Sequence, residues 1–509
     1  GVGVSVAISD TGLDISQEDL TANLLAGLHR NYVSGTSSAG WTGTPSPFGE
    51  AHGTAVTGII GAVGWNNKGV TGIAPQARVA GFQFLDSNQT TAMYVHQASG
   101  NFDVFNYSYG TGLNADLEDD ALFIAQLRSG VTTGRNGKGQ VYVKAAGNEY
   151  DFFCDTLTGY VGTICLPQNA NIPAENNSPY WIVVGASNAV SSRSSYSNAG
   201  SNIWVVAPGG EYGDSRPAIV TTDLSGCAQG FSKTTAGPYN WNMFERYNNN
   251  SSVFTTFNPN CNYTSVMNGS SSATPMVSGV VALMLSANPD LSWRDVKHIL
   301  AVTADKIDPT STDSGHPEAQ FDLAAHVYEQ GWVANQAASP REFHNWYGFG
   351  RVNAAAAVAM AKDPTYVPMA AMVETNVDFD GALNHGESGI AAAIPDNSAA
   401  GLTRTVAINY GTLVVETVQV KLSITHTRSG QVGVELTSPA GTKSILLNIN
   451  NALLHDVGSG SPDSDLEVTL ATHAFYGETA TGSWQIKIID GITGQTGTLT
   501  DWSINILGH

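Results

Sequence analysis

The chain has 509 residues, of which 42% are hydrophobic and only 13% charged, with 55 glycines and 20 prolines. It is long enough for at least two folded units and is neither a coiled coil nor a disordered tail. Lys and Arg total 22 against 43 Asp and Glu, and the net charge of −21 argues against nucleic-acid phosphates or an anionic membrane surface as partners. Nothing approaches the roughly 18 consecutive apolar residues of a membrane span.

The chain opens Gly1-Val2-Gly3 with no basic stretch before an apolar one, so any signal peptide is expected to have been removed or never written. Up to about residue 362, short β-branched runs alternate with helical patterns. Strands are expected at 3–9, 78–85, 104–107, 141–146, 181–186 and 203–207, and helices at 53–62, 90–98, 117–128, 274–287, 293–303 and 352–361. Near-continuous apolar strands separated by helices predict a doubly wound, mostly parallel α/β sheet buried on both faces. Two interruptions, 151–179 and 225–264, are rich in Asn, Ser, Thr and Gly and read as stapled surface loops, each holding two of the four cysteines. Proximity favours Cys154 with Cys165 and Cys227 with Cys261, with four buried thiols as the alternative; disulfides fit an oxidising, extracellular compartment.

After residue 362 the grammar changes to strict alternation. Val418, Val420, Leu422 and Ile424 interleave with polar residues, as do Val432, Val434 and Leu436, then Trp484, Ile486 and Ile488, then Trp502, Ile504 and Ile506. This period of two predicts an antiparallel β-sandwich. The expected division is therefore 1–362 and 363–509, the second part beginning with an irregular connector.

Three short motifs stand where such a fold puts chemistry: Asp10-Thr11-Gly12 at the end of the first strand, His52-Gly53-Thr54 opening a helix, and Gly269-Ser270-Ser271-Ser272 leading into another. Each alone is an ordinary turn or cap. In the order Asp, His, Ser they make a nucleophile–base–carboxylate set: a serine hydroxyl needs an imidazole to take its proton, and the imidazole needs a carboxylate to fix its tautomer. Asn148, in Ala145-Ala146-Gly147-Asn148 after the fourth main strand, is a natural donor to a developing oxyanion.

These motifs resemble the subtilisin-like serine proteases, and the wider pattern resembles the kexin and proprotein-convertase branch. The likeness extends through Gly72-Ile73-Ala74-Pro75, Val220-Thr221-Thr222-Asp223-Leu224 and Tyr347-Gly348-Phe349-Gly350. It continues into a tail similar to that branch's P domain, at Ile394-Pro395-Asp396-Asn397, Leu436-Thr437-Ser438-Pro439 and Gly482-Ser483-Trp484. The resemblance implies Asp10 as orienting carboxylate, His52 as general base and acid, Ser271 as nucleophile, Asn148 as oxyanion donor, and Ser108-Tyr109-Gly110 as the cleft strand that pairs with extended substrate. It implies Ca²⁺ at Asp19 with Asn66 and Asn67 of the loop 64–71, an oxygen-only set that suits this ion. Asp10 lies nearer the start than in most mature family members, so a segment before Gly1 is expected. Ser270 stands where the family usually has Thr, and Asn198 where convertases carry Glu.

The substrate pattern departs further. Thr11 replaces the second Asp of the convertases' Asp-Asp-Gly, and the segment before His52 has only Glu50. Strict dibasic cleavage is therefore not expected, although Glu50, Asp116, Glu149 and Glu175 remain as acids that favour a basic side chain. The expected protein is a secreted, monomeric serine endopeptidase acting on proteins or peptides, with a propeptide or separate folding chaperone as a further partner. A non-catalytic adhesin or lectin-like protein is the alternative. An aspartic protease using Asp10-Thr11-Gly12 and Asp313-Ser314-Gly315 is disfavoured, because the second tripeptide follows no apolar strand.

Overall fold

A computed structural model describes the chain except residues 34–40, 42–49, 86–87, 111–120, 151–152, 156–163, 167, 214–215, 233–257, 311–330, 377–384, 450, 452–465 and 492. Asp116 and Asp313-Ser314-Gly315 thus lie outside the described residues. In chain order the first strands are β1 (Ser5–Asp10), β2 (Arg30–Asn31), β3 (Arg78–Gln83), β4 (Val104–Tyr107), β5 (Val141–Ala145), β6 (Phe153–Asp155), β7 (Ile164–Leu166), β8 (Trp181–Ser187) and β9 (Val205–Pro208). All but β6 and β7 form one seven-stranded sheet in the order β2-β3-β1-β4-β5-β8-β9, parallel at every pairing. Its interior strands are buried on both faces, β8 along its whole length, which is why they read as unbroken apolar runs.

The helices are α1 (His52–Gly61), α2 (Thr91–Gln97), α3 (Ala121–Gly137), α4 (Ser270–Ala287), α5 (Trp293–Thr303) and α6 (Ala354–Lys362). The helix α5 has the bounds its pattern predicts, because Ser292 and Asp295 form a reciprocal capping box at its start. The helix α4 starts at Ser270 and not at 274, and it keeps Pro275 inside. Pro275 removes the N–H that would bond the Ser271 carbonyl, and the Ser108 hydroxyl donates to that carbonyl instead, at 3.1 Å. By length and composition α4 is apolar enough to cross a bilayer, with mean hydropathy 1.3, but 78% of it is buried inside the protein as a core helix.

Two short antiparallel pairs follow, β10 (Ile219–Thr222) with β11 (Tyr263–Met267) and β12 (Val333–Ala334) with β13 (Glu342–Phe343). The C-terminal region comprises β14 (Val373–Glu374), β15 (Gly386–Glu387), β16 (Ala392–Ile394), β17 (Leu402–Ile408), β18 (Val415–His426), β19 (Val432–Thr437), β20 (Lys443–Leu447), β21 (Leu466–Thr472), β22 (Gly482–Asp490) and β23 (Gly497–Gly508). Every pairing here is antiparallel, in one sheet β14-β23-β18-β21, with β15 and β16 also on β23, and a second sheet β17-β22-β19-β20. The alternating residues Val420, Leu422, Val434, Trp484, Ile486, Trp502 and Ile504 are fully buried between the sheets, as their period of two requires.

The expectation of a surface loop over 151–179 fails for its second half. Residues 168–179, all buried except Glu175, lie between the two regions. Their asparagines replace water with each other and with backbone of the sandwich: Asn171 donates to the Ala471 carbonyl at 2.7 Å, Asn169 to Asn448 at 3.0 Å, and Asn177 accepts from the Ala471 N–H at 3.0 Å. The other interruption is stapled as expected by a Cys227–Cys261 disulfide. Cys154 and Cys165 face each other in the β6–β7 ladder, and their side chains lie outside the described residues.

Candidate active site

The carboxyl ends of β1, β4 and β5 and the N-termini of α1 and α4 meet at one edge of the parallel sheet, where open α/β folds form their crevices. Asp10, fully buried, ends β1, and His52 opens α1. His52 Nδ1 and Asp10 Oδ1 are 2.7 Å apart, and the same oxygen accepts the Thr11 N–H at 2.7 Å. Gly53 makes this approach feasible, since a Cβ there would lie 2.1 Å from the Gly12 carbonyl and 3.1 Å from the Asp10 Cβ. Burial disfavours the His52 cation, but the Asp10 charge and hydrogen bond, helped by the charge of exposed Glu50, outweigh it and raise the His52 pKa above 6.5.

Ser271 lies in the first turn of α4, behind Gly269, whose φ of 98° suits glycine alone. Its hydroxyl donates to the Ser108 carbonyl at 3.0 Å, and no hydrogen bond joins it to His52 among the described residues. The two side chains nevertheless border one cavity of about 460 Å³, with Asn148, Tyr212, Phe231 and Met267. Catalytic hydrogen bonds are commonly long or misaligned in resting enzymes and tighten when substrate binds.

Asn148 is oriented by Ser270, for which motif reading noted only that it replaces Thr. The Ser270 N–H and hydroxyl both donate to Asn148 Oδ1, at 2.7 and 2.9 Å, which leaves the amide NH₂ as the end available to a ligand in the cavity. Ser108 is held by a further chain that sequence did not reveal: Asn106 donates to its hydroxyl at 2.9 Å and accepts from Ser278 of α4 at 2.8 Å. Tyr109 continues the β4 segment, its hydroxyl accepting from Gln97 at 2.6 Å, and exposed Gly110 follows.

The acids proposed as cation readers are placed differently from one another. Glu50 is exposed beside His52. Glu149 accepts the Asn148 N–H at 2.7 Å and the Asn198 amide at 2.9 Å, while its own N–H returns to Asn198 at 2.9 Å. Buried Asn198 thus holds Glu149 through both its amide groups. Glu175 pairs with Lys144 at 2.9 Å.

Asp19 is fully buried with no cationic side chain within ion-pair distance among the described residues. Its oxygens accept from Asn66 Nδ2 at 2.6 Å and the Val70 N–H at 3.0 Å, and Asn67 holds a positive φ of 58° in the same loop. A buried carboxylate balanced only by neutral donors fits a hard cation in charge, whereas Asn66 turns its Nδ2 to Asp19 and its Oδ1 to the Lys68 N–H at 3.0 Å, so its amide would have to turn over to ligate one.

Residues 1–350 match the Subtilase family, and residues 415–506 match the proprotein convertase P-domain. The chain belongs to the subtilase family. Over its whole length it is 35% identical to the Aeromonas extracellular serine protease of Aeromonas sobria, covering 84% of that protein, and 31% identical to a microbial serine proteinase of Aeromonas salmonicida, covering 85%. It is 26% identical to human neuroendocrine convertase 2, of which it covers 68%. The crystal structure of the A. sobria serine protease superposes with TM-score 0.82 at 32% identity, covering 100% of this chain and 89% of that one. The same protease in complex with its chaperone gives 0.83 at 31% identity, covering 88%. This subtilase is thus a serine-protease fold followed by a P-domain-like sandwich.

Proposed function

We propose that this subtilase is a secreted serine endopeptidase in which Ser271 attacks the peptide carbonyl. The observation that carries the reading is the 2.7 Å contact of His52 with buried Asp10 facing the same cavity as Ser271. His52 takes the hydroxyl proton as the acyl-enzyme forms and returns it to the leaving amine; Asp10 holds Nδ1 protonated and stabilises the imidazolium. The oxyanion is met by the Asn148 amide and by the backbone N–H groups and dipole at the start of α4. Asn148→Ala is expected to lower kcat about 100- to 1000-fold with KM little changed, measured on a peptide amide. An effect below threefold removes Asn148 from the oxyanion site. The reading as a whole is tested by incubating a denatured protein mixture with the enzyme and mapping new termini by mass spectrometry, with a serine-reactive inhibitor in the control.

Calcium would be held by Asp19, Asn66, Asn67 and carbonyls of the loop 64–71, and it supplies charge compensation and loop rigidity, not a step in the reaction. Free calcium at about 100 times its Kd is expected to stabilise the protein by about 2.7 kcal/mol. Thermal unfolding with calcium or a chelator reads this, and Asp19→Asn is expected to remove the difference; an Asp19→Asn protein that still responds in full places the ion elsewhere.

Secretion is supported by the extracellular A. sobria relative and by the Cys227–Cys261 disulfide, and a separate folding chaperone by that relative's chaperone complex. We take 1–362 as the catalytic unit and 363–509 as a sandwich that stabilises it, and we place the enzyme as a monomer with kexin-like architecture. Preference for basic residues rests on fewer carboxylates than that branch uses, since Glu149 and Glu175 already have protein partners.

A further inference from the structure

The loop that carries Asn148 beyond β5 is held from two sides. On one side the Gly147 N–H donates to the Ser270 hydroxyl of α4 at 3.2 Å. On the other, the Glu149 N–H donates to Asn198 Oδ1 at 2.9 Å and the Tyr150 N–H to the Tyr196 carbonyl at 3.2 Å. The carbonyls of Ala146 and Gly147 accept from the Asn198 amide and the Asn198 N–H, both at 3.2 Å. The second side is thus a single turn, residues 194–198, between β8 and β9.

The same turn reaches the segment of the nucleophile. The hydroxyl of buried Tyr196 accepts the Gly269 N–H at 2.7 Å, and its proton faces the Gly209 and Gly210 carbonyls, 2.9 and 2.8 Å away. Gly269 is the residue whose positive φ leads into Ser270 and Ser271. Buried Arg193 ties the turn together. Its Nη1 donates to the carbonyls of Ser194, Ser195 and Ser197 at 3.3, 2.9 and 2.9 Å. Its guanidinium carbon lies 3.7 Å from the centroid of the Tyr150 ring, so the cation that gathers the turn also packs on the Asn148 loop. A planar fork that bonds carbonyls and stacks on a ring is a task for Arg that Lys does not reproduce.

We propose that Arg193 and Tyr196 are positioning residues that, through the turn 194–198, fix the distance between the Asn148 amide and Ser271. The proposal deepens the endopeptidase reading above and rests on it. Arg193 acts through the turn and the Tyr150 ring, and the Tyr196 hydroxyl acts through Gly269. The bonds from Ser270 fix how the Asn148 amide is turned, whereas the turn 194–198 fixes where its backbone stands. An oxyanion donor works only at hydrogen-bond distance from the charge that develops, and a displacement of about 1 Å can cost about 100-fold in rate.

The test uses Tyr196→Phe, which removes one hydroxyl and keeps the ring, and Arg193→Lys, which keeps the charge and loses the fork. Each is made in the wild type and in Asn148→Ala, titrated for active sites with a fluorophosphonate and assayed on a peptide amide. In the wild-type background each is expected to lower kcat at least tenfold, with KM within twofold. In Asn148→Ala, where no amide is left to misplace, each is expected to lower kcat less than threefold further, the signature of residues that act through one group. An equal fall in both backgrounds overturns the proposal and makes the two residues supports of the fold alone, as does titratable Tyr196→Phe enzyme with unchanged kcat. Should Arg193→Lys not fold, the isosteric Tyr196→Phe variant decides alone. A wild type without titratable serine, or an Asn148→Ala variant with unchanged kcat, overturns the underlying endopeptidase and oxyanion reading instead.

Discussion

Ser271→Ala is expected to lower proteolysis about 10⁶-fold, the scale at which a serine–histidine–carboxylate set loses its nucleophile, while leaving the melting temperature within a few degrees. The fold should tolerate the change. The Ser271 hydroxyl makes one hydrogen bond, to the Ser108 carbonyl, and the contact that compensates Pro275 uses the Ser271 backbone carbonyl, which alanine retains. A loss of activity with intact stability therefore reports chemistry and not collapse. The two effects are separable by measuring cleavage of a denatured protein beside thermal unfolding of the same preparation. A Ser271→Ala protein that cuts within tenfold of wild type would assign the activity to another residue. A wild type with no activity would favour the binding-protein alternative, in which the α/β unit is only a scaffold.

Glu416→Ala is expected to destabilise the protein by about 3 to 5 kcal/mol, because it strands a buried arginine at the junction of the two regions. Arg294 of α5 and Glu416 of β18 have side chains 7% and 12% exposed. They are joined through Nε to Oε2 at 2.8 Å and through Nη2 to Oε1, with His509 Nδ1 2.8 Å from Oε1. Burial alone would raise the Glu416 pKa, but the hydrogen bonds and charges of Arg294 and His509 prevail and hold it below the ordinary 4.5. A carboxylate with a depressed folded pKa stabilises fully above its unfolded value and loses that contribution as pH falls through the folded one. The stability gap between wild type and Glu416→Ala, read from urea unfolding, is therefore expected to be widest near pH 7 and to narrow below about pH 4.5. A gap under 1 kcal/mol, or one indifferent to pH, would remove this pair from the forces joining the regions.

What could be read in advance follows from the range of the interaction concerned. Strand β4 and helix α5 have the bounds their patterns predict, since apolar periodicity and the Ser292 cap are local. The Asp10, His52, Ser271 set was legible because three turn motifs in one order are far rarer than any one of them. The start of α4 was misplaced by four residues because Pro275 suggests a first turn, whereas here Ser108, 163 residues away in sequence, satisfies the carbonyl that proline leaves. Residues 168–179 have loop composition and are buried except for Glu175, since Asn171 and Asn177 find partners near residue 471, beyond any local pattern. Glu149 and Glu175 looked like cleft acids by charge alone; Asn198 and Lys144, which meet them, are brought there only by the adjacency of β5 with the turns beside β8. Lys144 itself reads as an interruption in an apolar run, and only the fold shows what it balances.

The central claim is that the Ser271 hydroxyl is a nucleophile activated by His52. Its most direct test is reaction of the native wild-type protein with a fluorophosphonate, followed by peptide mapping of the adduct in the wild type and in His52→Ala. The account predicts a single stoichiometric adduct on Ser271, formed at least 1000-fold more slowly when His52 is absent, as expected for a serine without its base. An adduct on another residue, or labelling of Ser271 at the same rate without His52, would contradict it.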